Sequence, residues 1–267
     1  MTDADAPDTD AGAIDADASI AADTADVRGR LGLIVPSSNT TAEPEFRRSL
    51  PDDVTVHGAR MALEAVTVGE LDAMSDDAAR AAELLGHADV DAVAYACTTG
   101  SLLHGPGFDA ELEDRLSEAA GVPAVATARS VVRALEALDA ERIAVVTPYT
   151  ADLDAKEREF LEAAGFAVAS IDGRGLEANT EIGALTPDDA VRQVLECVDG
   201  GGDGDELDAV FVSCTNYRSL AAVGELESKL GVPVLTSNGA TLWDVCGAAG
   251  LEVDGIEGGS LVERDRH

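Results

Sequence analysis

From about Arg30 onward, short apolar runs alternate with amphipathic stretches, and this alternation carries most of what the chain says about its fold. The strand candidates are 31–36, 54–59, 91–96, 123–127, 143–147, 166–171, 208–213 and 233–236. Most are apolar at nearly every position rather than every second one, the pattern of parallel strands covered on both faces. Between them apolar residues recur at helical spacing over about 41–50, 69–86, 108–120, 128–138, 151–164, 187–199, 217–230 and 239–249. Pro187 stands where the first turn of a helix accepts proline. Strand and helix in strict alternation predict an α/β protein.

The pattern also repeats. Asp91-Ala-Val-Ala-Tyr-Ala-Cys97-Thr98 matches Asp208-Ala-Val-Phe-Val-Ser-Cys214-Thr215 at a separation of 117 residues. Gly121-Val-Pro-Ala-Val-Ala-Thr127 matches Gly231-Val-Pro-Val-Leu-Thr-Ser237 at 110, and Gly32-Leu-Ile-Val-Pro36 matches Ala144-Val-Val-Thr-Pro148 at 112. Three segments recurring in one order at nearly constant spacing predict two similar halves, 28–140 and 141–267, related by pseudo-two-fold symmetry. Each half is expected to form a four-stranded parallel sheet flanked by helices, with the site between the halves. Residues 1–27 hold eight aspartates, no basic residue and no periodicity, and read as a disordered acidic tail.

Charge narrows the partners. With 52 acidic and 18 basic residues the net charge is −34, which repels nucleic acid and anionic membranes, so neither is expected as a partner. The acids are spread along the whole chain, and lysine occurs only at Lys156 and Lys229. We read this as halophilic adaptation, because at molar salt the Debye length falls to about 3 Å and self-repulsion is screened. Residues 1–10 lack the basic and apolar regions of a secretory signal, and no apolar run approaches a membrane span. A cytoplasmic, homo-oligomeric protein is expected.

Four cysteines, Cys97, Cys197, Cys214 and Cys246, show neither C-x-x-C nor His-x-x-x-His spacing, so no metal site is expected. Cys197 and Cys246 fall inside helical patterns and read as packing residues. Cys97 and Cys214 end equivalent strands, each followed by Thr and then by turn residues, a coincidence that packing alone does not require. In open parallel sheets ligands collect beyond the carboxyl ends of strands. A thiol placed there before a helix meets free amides that favour the thiolate. The hydroxyls of Thr98, Thr99 and Thr215 are candidate carboxylate donors. The polar run Ser37-Ser38-Asn39-Thr40-Thr41 after the first strand is a candidate for anion binding at the same edge. No G-x-G-x-x-G or P-loop follows a strand, and no cofactor is expected.

These residues resemble a family. Leu33-Ile-Val-Pro-Ser-Ser-Asn39-Thr-Thr-Ala-Glu-Pro-Glu45, Ala96-Cys97-Thr98-Thr99-Gly100-Ser101 and Ser213-Cys214-Thr215-Asn216-Tyr217-Arg218 are similar to motifs of maleate cis–trans isomerases. These enzymes belong to the aspartate/glutamate racemase superfamily, with arylmalonate decarboxylases as relatives. The resemblance runs from about Arg30 to Gly250. It implies a small dicarboxylate substrate held by Tyr149 and Asn179 together with Asn39, beside Ser38 of the polar run, with Cys97 as nucleophile and Cys214 as proton donor and acceptor. Arylmalonate decarboxylases keep only the second cysteine, so retention of both points to an isomerase or racemase. An amino-acid or hydantoin racemase using the same thiols is the alternative enzyme, and a non-catalytic small-ligand binding protein the alternative outside enzymes. Two departures are visible: Thr99 where serine is usual, and Tyr217 where leucine is familiar. Acidic side chains are expected to avoid the cleft.

Overall fold

The computed structural model describes residues 27–200, 206–252 and 258–264; apart from Val27, the acidic tail lies outside the described residues. Eight strands appear in the described residues, each within three residues of its expected limits. They are β1 (Gly29–Pro36), β2 (Val54–Met61), β3 (Ala92–Tyr95), β4 (Ala124–Ala126), β5 (Arg142–Thr147), β6 (Ala167–Gly173), β7 (Ala209–Val212) and β8 (Val234–Thr236). They form two four-stranded parallel sheets of identical topology, β2-β1-β3-β4 and β6-β5-β7-β8. Even the register corresponds: Leu31 pairs with Ala92 as Ile143 pairs with Ala209, and Val93 with Ala124 as Val210 with Val234. The sequence repeat is therefore a structural repeat. One irregularity separates the sheets, a register shift between Ile143 and Ala144 against β6.

The central strands β1, β3, β5 and β7 have nearly every side chain buried because helices cover both faces. The last helix of each half crosses to the other. Helix Thr127–Ala137 follows β4 yet lays Ala128, Val131 and Leu135 into a core with Ile143, Val145 and Phe211 of the second sheet. Helix Ser237–Ala248 follows β8 and packs Leu242, Val245 and Cys246 against Leu31, Leu33 and Ala94 of the first. Both helices begin at the residue after their strand, so neither has a loop to bring it back over its own sheet. Arg133 joins the crossing at 2.7 Å from Asp244 and 2.8 Å from Glu113, which lies on helix Phe108–Ala120.

The other helical expectations hold to within a residue or two except one. The stretch expected as a helix from 217 is a turn, then a short 3-10 segment Leu220–Ala222, and becomes α-helical only over Val223–Leu230. Short helices Thr98–Leu102 and Asn179–Gly183 are additional.

Candidate active site

The carboxyl ends of β1, β3, β5 and β7 meet where the two sheets approach. Cys97 and Cys214, 5% and 6% exposed, border one small cavity there with Pro36, Asn39, Leu63 and Val66. Thr98, Thr99, Tyr149, Asn179, Thr215 and Asn216 complete it. Among the described residues neither a carboxylate nor a cation lines it.

The polar side chains are held in fixed roles. Asn39 Oδ1 accepts from the amides of Thr41 and Ala42, while Nδ2 donates to Thr215 Oγ1 at 3.2 Å. Asn179 Nδ2 donates to Ser38 Oγ at 2.8 Å and its Oδ1 accepts from Asn216 Nδ2 at 3.0 Å. Each of these amides keeps one further N–H for a ligand. Thr98 and Thr215 differ: their hydroxyls donate to Ser237 Oγ at 2.9 Å and to Ala96 O at 3.0 Å. Those protons bind the halves together and are not free for an anion. Thr99 Oγ1 lies 4.0 Å from Cys97 Sγ. Ser38 does not line the cavity; its hydroxyl donates to Leu63 O at 2.5 Å and so positions both Leu63 and Asn179.

Two residues outside the expected set organise the site. Asn216 donates its amide N–H to Cys214 Sγ at 3.4 Å, its side chain to Asn179 O at 2.7 Å, and accepts from Thr40 N at 2.9 Å. Ser237 Oγ receives both the Thr98 hydroxyl and the Cys214 amide, the latter at 3.0 Å, so one oxygen ties the two cysteine loops. A signal existed for each: Asn216 sits inside the second cysteine motif, and Ser237 is the repeat partner of Thr127.

Burial dominates the electrostatics. It pushes the Cys97 thiol up to about 11 against donation from the Gly100 amide and the Thr99 hydroxyl. Burial likewise pushes Cys214 up to about 12 against donation from the Tyr149 hydroxyl and the Asn216 amide. The expectation that helix-end amides favour the thiolate at rest is corrected here. Cys97 precedes a helix of only five residues, Cys214 precedes a turn, and desolvation outweighs what those donors offer. Both thiols are protonated at neutral pH. Behind Cys214, Ser213 Oγ donates at 2.6 Å to buried Glu157, whose carboxyl burial pushes up to about 8. Cys197, at the opposite end of the second sheet, contacts Ser170 Oγ at 3.3 Å, and Cys246 is packed in the core.

Fold and site define a class first: a duplicated α/β protein in which one thiol from each half faces a shared cavity free of charged side chains. The comparisons agree. The family model of arylmalonate decarboxylase matches residues 31–262. The chain is 34% identical to a maleate isomerase of Pseudomonas putida, over 84% of this chain and 92% of that one. It is 30% identical to a maleate isomerase of Geobacillus stearothermophilus, over 87% and 96%. A solved structure of a Nocardia farcinica maleate cis–trans isomerase, a cysteine-to-serine mutant with a covalently bound succinylcysteine intermediate, superposes with a TM-score of 0.81. It is 29% identical, and the match covers 89% of this chain and 99% of that one. The chain belongs to the arylmalonate decarboxylase family, alongside these maleate isomerases, and is an isomerase.

Proposed function

We infer that the chain converts maleate to fumarate without a cofactor, using Cys97 and Cys214 as a nucleophile and acid–base pair. The observation that carries this reading is the arrival of both thiols, from equivalent strand ends, at one cavity without a carboxylate. Rotation about an intact C=C bond is too slow to use, and a covalent intermediate divides the barrier. Cys97 first loses its proton to solvent and regains it when the cycle ends; as thiolate it adds to one alkene carbon while the Cys214 S–H supplies a proton to the other. The central bond of the resulting succinyl thioether is single and rotates. The Cys214 thiolate then takes back a proton from carbon, the C–S bond breaks, and Cys97 leaves as thiolate with the trans alkene formed. Charge and protons balance over the cycle.

The remaining N–H groups of Asn39 and Asn179 suit the two carboxylates, and Tyr149 orients the Cys214 sulfur. Because no cation lines the cavity, binding relies on neutral donors, which avoids trapping a dianionic product. The enclosed space is only about 10 Å³, roughly one water molecule, so a four-carbon dianion requires the lining to open.

Proton NMR of maleate incubated with the protein in concentrated salt tests the reading. The expected result is a growing fumarate signal that Cys97→Ser abolishes. Folded protein with free thiols that forms no fumarate, yet exchanges deuterium into aspartate, glutamate or a hydantoin, would overturn it in favour of a racemase.

A further inference from the structure

Tyr95 lies two residues before Cys97, on β3, and is fully buried with a hydroxyl that has no hydrogen-bond partner. A buried hydroxyl left unpaired costs stability, and phenylalanine would fill the same space without that cost. Such a group in a native site calls for a reason. Gly100 supplies the geometry. A Cβ at that position would lie 2.7 Å from Tyr95 Oη, 2.9 Å from Met74 Cε and 3.0 Å from Cys97 Sγ. Hydroxyl and sulfur therefore border the same notch, which is open only because residue 100 has no side chain.

The second half shows what the first lacks at rest. The repeat puts Val212 at the place of Tyr95, and Cys214 takes a phenol from the bend after β5, Tyr149, whose hydroxyl already bonds its sulfur. Each thiol thus neighbours one phenol, one engaged and one waiting.

We propose that Tyr95 stabilises the nucleophile: its hydroxyl donates to the Cys97 sulfur when that sulfur is ionised, and stays unpaired while the thiol is protonated. At rest the hydroxyl is out of bonding geometry with the sulfur; a thiol is a weak acceptor and a thiolate a strong one, so ionisation draws the hydroxyl onto the sulfur across the notch. No proton passes between them. Burial, and then the negative charge of Cys97, hold the phenol well above its ordinary value, so it remains the donor. This inference rests on Cys97 being the nucleophile of the reaction above.

Tyr95→Phe tests it by moving stability and reactivity in opposite directions. The melting temperature should hold or rise. In a Cys214→Ser background, the pH profile for iodoacetamide alkylation of Cys97, followed by peptide mass, should move up by about one unit, a roughly tenfold slower reaction at fixed pH. With Cys214 intact, kcat should fall about tenfold or more at unchanged KM. A folded Tyr95→Phe protein with an unchanged alkylation profile overturns the proposal. In the unsubstituted protein, the NMR signal of the Tyr95 ring carbon bearing the hydroxyl should follow Cys97 ionisation and lose that titration in Cys97→Ser; its failure to do so overturns it too. Alkylation uses no maleate, so the two failures are distinguishable: absence of fumarate with a shifted profile would defeat the functional reading and with it the role of Tyr95 in that reaction, while an unchanged profile in a protein that forms fumarate defeats this proposal alone.

Discussion

Cys97 and Cys214 occupy matching positions in two copies of one plan, yet their backbones differ. Cys97 is extended, with φ −149° and ψ 109°, and starts a short helix in which its carbonyl accepts from Ser101 N at 3.2 Å. Cys214 has φ 91°, a left-handed conformation unusual for a side chain larger than glycine, and opens a turn whose Tyr217 amide donates to its carbonyl at 3.1 Å. Such a conformation costs on the order of 1–3 kcal/mol and persists only where neighbours impose it. Here Ser237 holds the amide of Cys214, while Thr41 Oγ1 donates at 2.9 Å to the carbonyl of Asn216. The lesson is that duplication placed two thiols at equivalent strand ends, and divergence of the three residues after the shared threonine gave them different surroundings. One sulfur is served by a helix amide and an idle phenol, the other by a strained turn, an amide and an engaged phenol.

The largest expected effect breaks the pair by chemistry. Removing either sulfur should lower turnover by about 10³-fold or more, because groups acting as a unit fail together. Cys214→Ser should nevertheless trap maleate on Cys97 as a covalent adduct visible in the intact mass, whereas Cys97→Ser should form none. Equal adduct formation in the two variants would erase the division of roles. Next is packing beside Cys97. Gly100→Ala forces a methyl against Tyr95 Oη and Cys97 Sγ and should cost about 1–3 kcal/mol in denaturant unfolding. Full stability would show that the notch is loose.

A smaller effect concerns pH and only the Cys214 side. Burial raises Glu157 from its ordinary 4.5 to about 8, so the folded state holds a proton that the unfolded chain releases. Its contribution is complete below pH 4.5 and is lost as pH rises through about 8. Glu157→Gln should therefore flatten the decline in melting temperature over that window, and an unchanged slope would place the cause elsewhere. The smallest effect is conformational. Cys214→Gly relieves the left-handed strain and should stabilise by about 0.5–1 kcal/mol, while Cys97→Gly should destabilise by a similar amount or more. Calorimetry giving both the same sign would mean that φ at position 214 carries no strain.

Much of the site was legible because it sits at the ends of apolar runs that announce themselves. Doubly covered strands such as Ala92–Tyr95 leave no polar alternative reading, and the cysteine after each is placed by counting. The polar run after β1 pointed to Asn39 at the same sheet edge as the cysteines. Other features left no mark in the pattern. The crossing of helices Thr127–Ala137 and Ser237–Ala248 depends on which sheet their apolar faces meet, and amphipathic spacing says only that a face exists. Thr98 and Thr215 looked like ligand donors because their type permits it, and only the position of Ser237 and Ala96 shows where their protons go.

By itself, the sequence determined the two α/β halves, their sheets and the two sulfur atoms at equivalent strand ends, since periodicity and repeat spacing are local properties of the chain. Tertiary structure alone decided the chemical state of those sulfurs. Ionisation depends on which donors reach each sulfur and on how much water is excluded; the donors come from the residues just after β3, β5 and β7, and the water is excluded where residues of both halves close over one cavity.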